Sequence, residues 1–479
     1  MDRALITELQ KLIGKDAVVS DTTRLLSYES DALAMYSAPA ELVLLPRDTQ
    51  ETAGCMKVLA RYGIPIVPRG AGTGLTGGAL PIAGGAVIAT SRMRKVFEVN
   101  PVDGFARVGA GLINVALTHA CKSHNMFYAP DPSSQKACTI GGNVANNSGG
   151  PHGFKYGSTT QHILGLVVVT PDGDIIDMSA AGVDPVGLDL VGLFVGSEGT
   201  FGLATEVTVK LEPCPEVVET LLAVYTGEDG LNQACDAVSE IIALGLEPSA
   251  IEILDSLTIE AVEDSLYSAG YPRDASAVLL LEVEGTATEV RGTCDDIEAL
   301  VKRFGAVEFR RAQDEAERAK LWEGRKGAFG AMGRIAPDLY VADAVVPRTK
   351  LREMVRATVA IAEKYNLKLA TVFHAGDGNL HPNICYDRRN KEETARVVKA
   401  GAEILKACVA AGGSLTGEHG IGIEKLDEIG LLFTDDDLEA MGRVRRAWDP
   451  TLRMNPGKAI PLRACGELGD SPRGDEESS

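Results

Sequence analysis

The chain has 479 residues, of which 45% are hydrophobic and 24% are charged, a composition typical of a soluble globular protein with two or three domains. Its formal net charge of -20 argues against nucleic acid or an anionic membrane as the main partner, because both require a basic surface. An anionic substrate must therefore find a local cationic pocket.

The nine cysteines are scattered and form no Cys-x-x-Cys pair, which predicts reduced core thiols rather than disulfides or an iron–sulfur cluster. The N-terminus shows no basic region followed by an apolar run, and nowhere do about 18 apolar residues follow one another. We therefore expect a cytoplasmic protein without direct membrane insertion, for which any association with a membrane would run through partner subunits.

The first elements of the chain predict a β-α-β unit. A buried-strand run precedes Asp48, which can cap a helix that carries Glu51 in its first turn and ends at Gly63. Short strands are predicted on both sides of this helix and after it, at 41–46, 64–67, 86–89 and 105–108.

A glycine-rich loop begins where the strand 64–67 ends, and residues 68–81 read PRGAGTGLTGGALP. Glycine accepts a positive φ, so such a loop can turn its backbone N–H groups inward and bind a phosphate or pyrophosphate, with Thr73 and Thr76 adding hydroxyls. The glycine spacing is not that of a dinucleotide-binding Rossmann turn, and no Gly-Lys-Ser/Thr closes the loop as in a P-loop. A plain glycine-rich surface turn is the alternative.

Two later stretches have a similar composition. Residues 139–150 read TIGGNVANNSGG, and residues 196–202 read GSEGTFG. Both are poor in charge, so they favour a long ligand lying against backbone rather than one gripped by Lys and Arg side chains. Three such stretches in one part of the chain are hard to attribute to turns alone.

These three segments resemble the FAD-binding segments of the vanillyl-alcohol-oxidase (PCMH-type) flavoproteins. The resemblance implies that the first loop wraps the pyrophosphate of FAD, while the second and third segments line the ADP and the isoalloxazine ring. It also implies non-covalent FAD, because members with covalent flavin often carry a histidine near the position of Thr73; His152 is the alternative attachment residue. The implied cofactor contacts are Pro68, Arg69, Gly70, Ala71, Gly72, Thr73, Gly74, Gly77, Gly78, Pro130, Asp131, Thr139, Gly141, Gly142, Asn143, Asn146, Gly150, Gly157, Glu198, Gly199, Val207, Asn455 and Lys458.

After Pro213 the composition changes. The chain alternates β-rich runs, such as 220–225 and 278–283, with amphipathic helices, such as 236–244 and 295–304. Together with the resemblance, this pattern predicts an α+β protein. A two-part PCMH-type FAD-binding domain is expected at 1–213, and a substrate (cap) domain with a mostly antiparallel sheet and the metal site at 214–424. A helical segment at 425–464 should return to the FAD-binding domain, and residues 465–479 should form a disordered tail.

The sharpest chemical signal is the sequence HAGDGNLH at 374–381. On a continuous strand the two histidines would face opposite sides, but the central Gly-Asp-Gly predicts a hairpin that can bring both imidazoles to one side. With Glu418, His374 and His381 offer the two-nitrogen, one-oxygen set of a catalytic divalent-metal site with open positions. His419 would then be free to act as a base. Histidines that flank an ordinary hairpin or pack in a core are the alternative.

Arg325 is the best cationic residue for an anionic substrate, because a guanidinium can hold a carboxylate by two hydrogen bonds. The alternative is that Arg325 is an ordinary surface arginine, and the neighbouring Lys326 can likewise be an ordinary surface lysine. The spacing alone leaves both open.

Residues 321–461 point to a particular group within this family, because they include these histidines and end with NPGK at 455–458. It is similar to the flavin-bearing D subunits of bacterial glycolate oxidases, or glycolate dehydrogenases, with D-lactate and D-2-hydroxyglutarate dehydrogenases as relatives. This implies partner subunits, including an iron–sulfur subunit. It also implies that His374, His381 and Glu418 bind a metal. Arg325, Asn383 and His419 would contact the substrate, and His419 would also act as the base.

We therefore predict oxidation of a small 2-hydroxy acid, glycolate first, to its 2-oxo acid, with hydride transfer to flavin N5 and metal-assisted loss of the hydroxyl proton. Zinc is the expected metal, with iron or manganese as alternatives. Where D-2-hydroxyglutarate dehydrogenases place a lysine for the distal carboxylate, this chain has Val341, which favours a small substrate.

Other functions stay open at this point. One is a D-lactate or D-2-hydroxyglutarate dehydrogenase, another is a non-catalytic FAD-binding scaffold subunit, and a third is a non-redox flavin enzyme of the ether-forming synthase kind. The sequence also leaves the electron acceptor open between O₂, a quinone and partner subunits.

Overall fold

The computed structural model describes residues 1–178 and 187–461. Its first part is a four-stranded sheet with three helices, formed by α1 (Arg3–Ile13), β1 (Val18–Val19), α2 (Thr22–Leu25), β2 (Leu42–Leu44), α3 (Thr49–Arg61), β3 (Ile66–Arg69) and β4 (Ala86–Ala89). The strand order is β1-β2-β4-β3, and β2 and β3 both pair with β4 in parallel. The side chain of Asp48 caps α3 by accepting from the Glu51 N–H, as predicted. The β-α-β unit is therefore confirmed, with β4 inserted between its two strands.

A second, antiparallel sheet completes the N-terminal half. Its elements and those around it are β5 (Val96–Asn100), β6 (Phe105–Gly109), α4 (Asn114–Cys121), β7 (Met126–Phe127), α5 (Ile140–Asn146), α6 (Gly153–Tyr156), β8 (Ile163–Val169), β9 (Ile175–Asp177), α7 (Leu190–Phe194), β10 (Leu203–Lys210) and β11 (Glu212–Pro213). The sheet order is β5-β6-β10-β8-β9, and β7 pairs with β11. The second glycine-rich stretch is a short helix, α5, because the hydroxyl of Thr139 caps it by accepting from the Gly142 N–H.

A large sheet forms the central part of the chain. Its elements are β12 (Val217–Tyr225), α8 (Gly230–Ala243), β13 (Ala250–Asp255), α9 (Ser256–Glu263), β14 (Ala277–Gly285), α10 (Ala287–Arg303), β15 (Glu308–Arg311), α11 (Glu315–Ala331), β16 (Asp338–Val341), β17 (Ala344–Val345), α12 (Leu351–Lys364), β18 (Lys368–His374), β19 (Asn379–Leu380), β20 (Pro382–Tyr386) and α13 (Lys391–Ala410). All its pairings are antiparallel, in the order β15-β12-β14-β13-β18-β19-β17, with β20 on β18 and β16 on β20.

Both faces of this sheet are covered. Leu279 and Leu281 on β14 belong to one buried apolar cluster, and Leu280 between them belongs to another. Alternate residues of a strand point to opposite faces, so the runs that read as continuous apolar strands are buried on both sides. The predicted antiparallel substrate domain is thus confirmed as a fold.

The predicted histidine hairpin is present. β18 and β19 pair antiparallel with His374 opposite Asn379, and residues 375–378 form the turn between them. Gly378 has a φ of +78°, and a Cβ there would lie 2.2 Å from the carbonyl oxygen of Val346, so only glycine fits. The chain then returns along β18 as β20, which places His381 at the bend between β19 and β20.

The C-terminal segment returns to the N-terminal half, as predicted. α14 (Asp435–Trp448) ends at Trp448, whose ring stacks on Phe201 with centroids 5.6 Å apart. Met454 then forms a parallel bridge with Ile66 of β3. The predicted tail at 465–479 lies outside the described residues.

Eight cysteines lie in the described ranges, where none forms a disulfide and all but the half-exposed Cys214 are buried. The ninth, Cys465, lies outside these ranges. Within residues 1–178 and 187–461, no helix combines the length and apolar character needed to cross a membrane.

Candidate active site

A cavity of about 620 Å³ receives residues from both the N-terminal half and the central part of the chain. The predicted catalytic and metal-binding residues Arg325, His374, His381, Glu418 and His419 all line it. So do most of the predicted cofactor contacts, namely Pro68, Arg69, Gly70, Ala71, Gly72, Thr73, Gly74, Gly78, Thr139, Gly141, Gly142, Asn143, Asn146, Glu198 and Gly199. The two groups therefore share one cavity, although they lie far apart in the sequence.

The glycine-rich loop leaves room for a ligand against its backbone. A Cβ on Gly74 or Gly78 would meet nothing within 4 Å, and both residues line the cavity. Gly72 has a φ of +74°, and a Cβ there would lie 2.2 Å from Nη2 of Arg69. The loop conformation thus requires glycine, and its small residues leave a volume that fits the phosphate-bearing part of a dinucleotide.

Two predicted cofactor contacts, Asn455 and Lys458, hold this loop from behind. Lys458 is fully buried and donates from Nζ to the carbonyls of Gly78, at 3.0 Å, and Leu80. Asn455 Nδ2 donates to the carbonyls of Gly78, at 3.0 Å, and Glu198, at 2.7 Å. Burial lowers the pKa of Lys458 to about 7. Asn455 and Lys458 therefore support the backbone of the glycine-rich loop and do not line the cavity themselves. The other predicted cofactor contacts outside the cavity lining are Gly77, Pro130, Asp131, Gly150, Gly157 and Val207.

An ion cluster joins the two halves beside the cavity. His152 Nδ1 lies 3.0 Å from Asp131 Oδ2, and its Nε2 lies 2.9 Å from Glu282 Oε1 on β14. Lys326 also donates to Asp131 Oδ2, at 3.0 Å. Burial alone would lower the pKa of His152, but attraction to Asp131 and hydrogen bonds to both carboxylates raise it to about 10. Neither ring nitrogen of His152 is therefore free for attachment to a flavin.

His374, His381 and Glu418 converge as a three-ligand group. Their ligand atoms lie within 4.8 Å of one another, and the Nε2 atoms of both histidines are 3.4 Å from Glu418 Oε1. The two imidazoles are nearly perpendicular, at 88°. Tetrahedral zinc with bonds of about 2.0–2.1 Å separates its ligand atoms by about 3.4 Å. The donor set and the two 3.4 Å distances to Glu418 are therefore compatible with a zinc ion.

Each of these histidines faces a second, fully buried carboxylate that the sequence did not single out. His374 Nδ1 is hydrogen-bonded to Glu252 Oε1 at 2.6 Å, whereas His381 Nδ1 lies 3.8 Å from Asp343 Oδ1, beyond hydrogen-bond distance. Carboxylates on the outer nitrogen of ligand histidines are common around metals, because they orient the ring and fix its tautomer. One signal for Glu252 was available in the sequence: it stands between apolar residues in a strand that is apolar on both faces.

Asp343 also shapes the segment that carries Glu418 and His419. Its Oδ2 accepts hydrogen bonds from the Thr416 hydroxyl and from three consecutive backbone N–H groups, those of Gly417, Glu418 and His419. The ammonium of Lys425, which is fully buried, lies 3.4 Å from the same oxygen. A single carboxylate therefore sets the conformation of the loop 416–419.

The same loop is held from the other side by the N-terminal half. The carbonyl of His419 accepts from Asn146 Nδ2 at 2.9 Å, and the Gly149 N–H donates to Glu418 Oε2 at 2.9 Å. Glu198, a predicted cofactor contact, accepts from the N–H groups of Ile421 at 2.7 Å and Gly422 at 2.6 Å. The glycine-rich segments thus hold Glu418 and His419 in place as well as lining the cavity.

His419 is placed to act on a bound substrate, because its ring lines the cavity and stacks on His381, with centroids 5.1 Å apart. Burial lowers the pKa of His419 to about 4, although Asp343, 3.9 Å from its Nδ1, opposes the shift. The imidazole is therefore neutral near pH 7 and able to accept a proton.

The predicted substrate contacts differ in position. Arg325 lines the cavity and is held by Glu252, to which its Nε donates at 2.6 Å. Asn383 is fully buried behind the histidines, donates to the His381 carbonyl at 2.6 Å and lies outside the cavity lining. Val341 is buried opposite Asn383 in the β16–β20 pairing. The structure therefore joins Arg325 to the histidine cluster and places Asn383 against the backbone of His381.

Two family models match most of the chain. The model for the C-terminal domain of FAD linked oxidases matches residues 214–459, and an FAD binding domain model matches residues 40–179. Among curated proteins, the chain is 44% identical to the glycolate oxidase subunit GlcD of Escherichia coli (strain K12), over 93% of this chain and 89% of that protein. It is 42% identical to the glycolate oxidase subunit GlcD of Bacillus subtilis (strain 168), over 90% and 92%. A D-lactate dehydrogenase of Anaerostipes hadrus is 29% identical, over 95% and 96%.

Solved structures share the fold at low sequence identity. The 4-ethylphenol oxidase from Gulosibacter chungangensis superposes with a TM-score of 0.80 at 18% identity, covering 96% of this chain and 97% of that one. p-Cresol methylhydroxylase superposes with a TM-score of 0.79 at 16% identity, covering 95% and 96%. The PCMH-type architecture, the resemblance and the FAD-binding function predicted from the sequence are thereby confirmed. The chain belongs to the family of FAD-linked oxidases and is an FAD-dependent oxidoreductase.

Proposed function

We propose that this protein oxidises a small 2-hydroxy acid, with glycolate as the first substrate, to the corresponding 2-oxo acid. The observation that carries the proposal is the convergence of Arg325, His419 and the three-ligand group in the same cavity as the glycine-rich cradle. The relatives reported above at 44% and 42% identity are named as glycolate oxidase subunits, which supports glycolate as the first choice.

A divalent metal, zinc first, would be held by His374, His381 and Glu418, with iron or manganese as alternatives. The 3.4 Å separations between donor atoms support tetrahedral coordination, which zinc prefers, and a three-residue set leaves a position for substrate. When bound, such a metal supplies a Lewis acid that lowers the pKa of a coordinated hydroxyl.

The other residues divide the remaining tasks. Arg325 binds the substrate carboxylate. Its buried guanidinium lines the cavity, and Glu252 connects it to the metal ligand His374. His419, neutral and stacked on His381, takes the hydroxyl proton as the C–H bond breaks. Asn383 assists by holding the backbone of His381.

FAD is proposed to bind without a covalent link, along the loop 68–81 and against α5 and the segment 196–202. Its isoalloxazine ring supplies the acceptor for the hydride that leaves the substrate carbon. The protein's part is to keep the reacting groups in one enclosed volume, where the loop 416–419 is fastened to both halves of the chain. The domain limits predicted from the sequence, 1–213, 214–424 and 425–464, are retained in this proposal.

The test is an anaerobic titration of the FAD-loaded protein followed by visible spectroscopy. Glycolate should bleach the flavin absorbance at about 450 nm in a stoichiometric manner, and D-lactate and D-2-hydroxyglutarate should reduce the flavin more slowly at equal concentration. A flavin spectrum that no 2-hydroxy acid changes would refute the proposal and favour a scaffold role. This readout needs no assumed electron acceptor.

D-lactate is the second candidate substrate, because a D-lactate dehydrogenase is a relative over nearly the full length of the chain. Faster flavin reduction by D-lactate than by glycolate in the same experiment would reverse the order. We also propose that electrons leave to partner subunits, including an iron–sulfur protein, since the closely related proteins are named as subunits. The test is to co-purify the chain with tagged candidate partner subunits and to measure whether glycolate reduces the iron–sulfur clusters of those subunits.

A further inference from the structure

Glu252 occupies an unusual place for a charged residue. It lies in the middle of β13, opposite His374 on β18 and Leu280 on β14, and its exposed fraction is 0%. Burying an ionised carboxylate costs several kcal/mol unless charged partners and hydrogen bonds compensate for it. The partners of Glu252 therefore indicate why a glutamate stands in this strand.

The two oxygens of Glu252 go to two different functional groups. Oε2 accepts from Arg325, at 2.6 Å from Nε and 2.5 Å from Nη2, while Oε1 lies 2.6 Å from His374 Nδ1. A carboxylate only accepts hydrogen bonds, so Nδ1 of His374 carries the hydrogen and Nε2 keeps its lone pair. That lone pair is on the side of Glu418, 3.4 Å away.

We propose that Glu252 is a positioning residue that holds the carboxylate-binding arginine and the metal-binding histidine in one unit, so that substrate capture and metal affinity depend on the same buried side chain. This inference rests on the proposed roles of Arg325 and His374. It goes beyond them because it makes both roles depend on one carboxylate: a change of Glu252 alters the environment of Arg325 and of His374 together.

The isosteric change Glu252→Gln separates this role from simple packing. An amide offers one acceptor and one donor, and the two donor groups of Arg325 will retain the oxygen. The NH₂ group then faces Nδ1 of His374, which must become an acceptor and move its hydrogen to Nε2. That tautomer cannot bind a metal through Nε2, so zinc affinity should fall on the order of 10–100-fold.

The chain offers a matched control in Glu282→Gln. Glu282 is also buried in this sheet, with an exposed fraction of 4%, and its carboxylate also bonds a histidine, His152, at 2.9 Å. It touches neither Arg325 nor His374 in the described structure. The control therefore removes an equivalent carboxylate–imidazole bond without touching the proposed metal ligands.

The experiment has two measurements on FAD-loaded protein. The first is zinc affinity without substrate, by competition with a chromophoric chelator. The second is the KM for glycolate at saturating zinc, which reports on substrate capture when the metal site is filled. For Glu252→Gln we expect the loss of zinc affinity above and a rise in KM of about tenfold or more, because Arg325 keeps a hydrogen-bond acceptor but loses the charged carboxylate that positions it. Glu282→Gln should match the wild type in both.

Each other outcome overturns a stated claim. Wild-type zinc affinity in Glu252→Gln, or an unchanged KM at saturating zinc, contradicts the coupling while leaving the proposed function standing. Equal losses in Glu282→Gln indicate a general structural effect and also contradict it. A wild-type protein that binds no divalent metal but oxidises glycolate removes the metal site and this inference together. If Glu252→Gln does not retain FAD, Glu252→Asp replaces it: the carboxylate, shorter by one methylene, cannot reach both partners and should lose about tenfold in zinc affinity.

Discussion

The buried pair Asp343–Lys425 allows a quantitative test of how the loop 416–419 is held. Both side chains have an exposed fraction of 0%, and the Lys425 ammonium lies 3.4 Å from Asp343 Oδ2. Replacing Asp343 with Asn keeps the size and one acceptor oxygen but leaves the ammonium without its counter-charge. Breaking a buried pair from one side costs about 3–5 kcal/mol. We expect this loss in the free energy of unfolding of Asp343→Asn.

The reverse change should cost less, for a reason visible in the structure. In Lys425→Met the carboxylate keeps hydrogen bonds from Thr416 and from the backbone of the loop 416–419, so we expect a loss of about 1–3 kcal/mol. The double variant leaves no unpaired charge at this place. Its loss should therefore fall short of the sum of the single losses by about 2 kcal/mol.

The assay is urea-induced unfolding of FAD-loaded protein, followed by tryptophan fluorescence, for the wild type and the three variants. The exposed pair Lys364–Glu403, 2.7 Å apart, serves as the control cycle, and its coupling should be far smaller because solvent screens it. Losses at Asp343 and Lys425 that add within about 0.5 kcal/mol would refute the reasoning. They would show that Lys425 does not depend on Asp343 for its compensation.

Three further predictions concern the metal, the flavin and pH. His381→Ala should lose zinc and turnover while keeping the FAD spectrum. The control His119→Ala, at an exposed histidine, should keep all three, and normal turnover of His381→Ala would contradict the proposed metal role. Gly74→Leu should weaken FAD binding at least about tenfold, measured by flavin fluorescence, because its side chain would enter open cavity space; unchanged affinity would place the cofactor elsewhere. His152 has a folded pKa of about 10, above its ordinary 6.5, so its protonated form stabilises the fold fully below pH 6.5 and this contribution declines as pH rises toward 10. The advantage of wild type over His152→Gln in unfolding free energy should shrink over that range, and a constant difference would contradict the ion cluster.

Several local features could be predicted because they depend on neighbours in the chain. The helix after Asp48, the turn inside HAGDGNLH and the glycine-rich loop all follow from capping and φ requirements of adjacent residues. The stretch 139–150 was harder, because its glycine content indicates a loop while the cap at Thr139 and the contacts of Ile140 and Val144 with the core make part of it helical. Here tertiary packing outweighs local propensity.

The buried carboxylates mark the limit of reasoning from the sequence. Glu252 lies 122 residues before His374, and Asp343 lies 76 residues before His419, so no spacing rule connects either to its partner. A glutamate or aspartate in a strand normally indicates a face exposed to water. Only the register of β13 beside β18 brings Glu252 to the hairpin histidine.

The residues of the chain predict the chemistry proposed here: glycine-rich segments for a dinucleotide, two hairpin histidines with Glu418 as candidate metal donors, His419 beside them and one arginine. Residue type and local spacing suffice for that, because donor atoms and backbone freedom are properties of the residues themselves. The tertiary structure decided how these parts act together, since strand pairing and burial put Glu252 between Arg325 and His374 and fastened the loop 416–419 to both halves. Buried charges need compensation from wherever the fold supplies it, and that choice depends on distances across the whole chain.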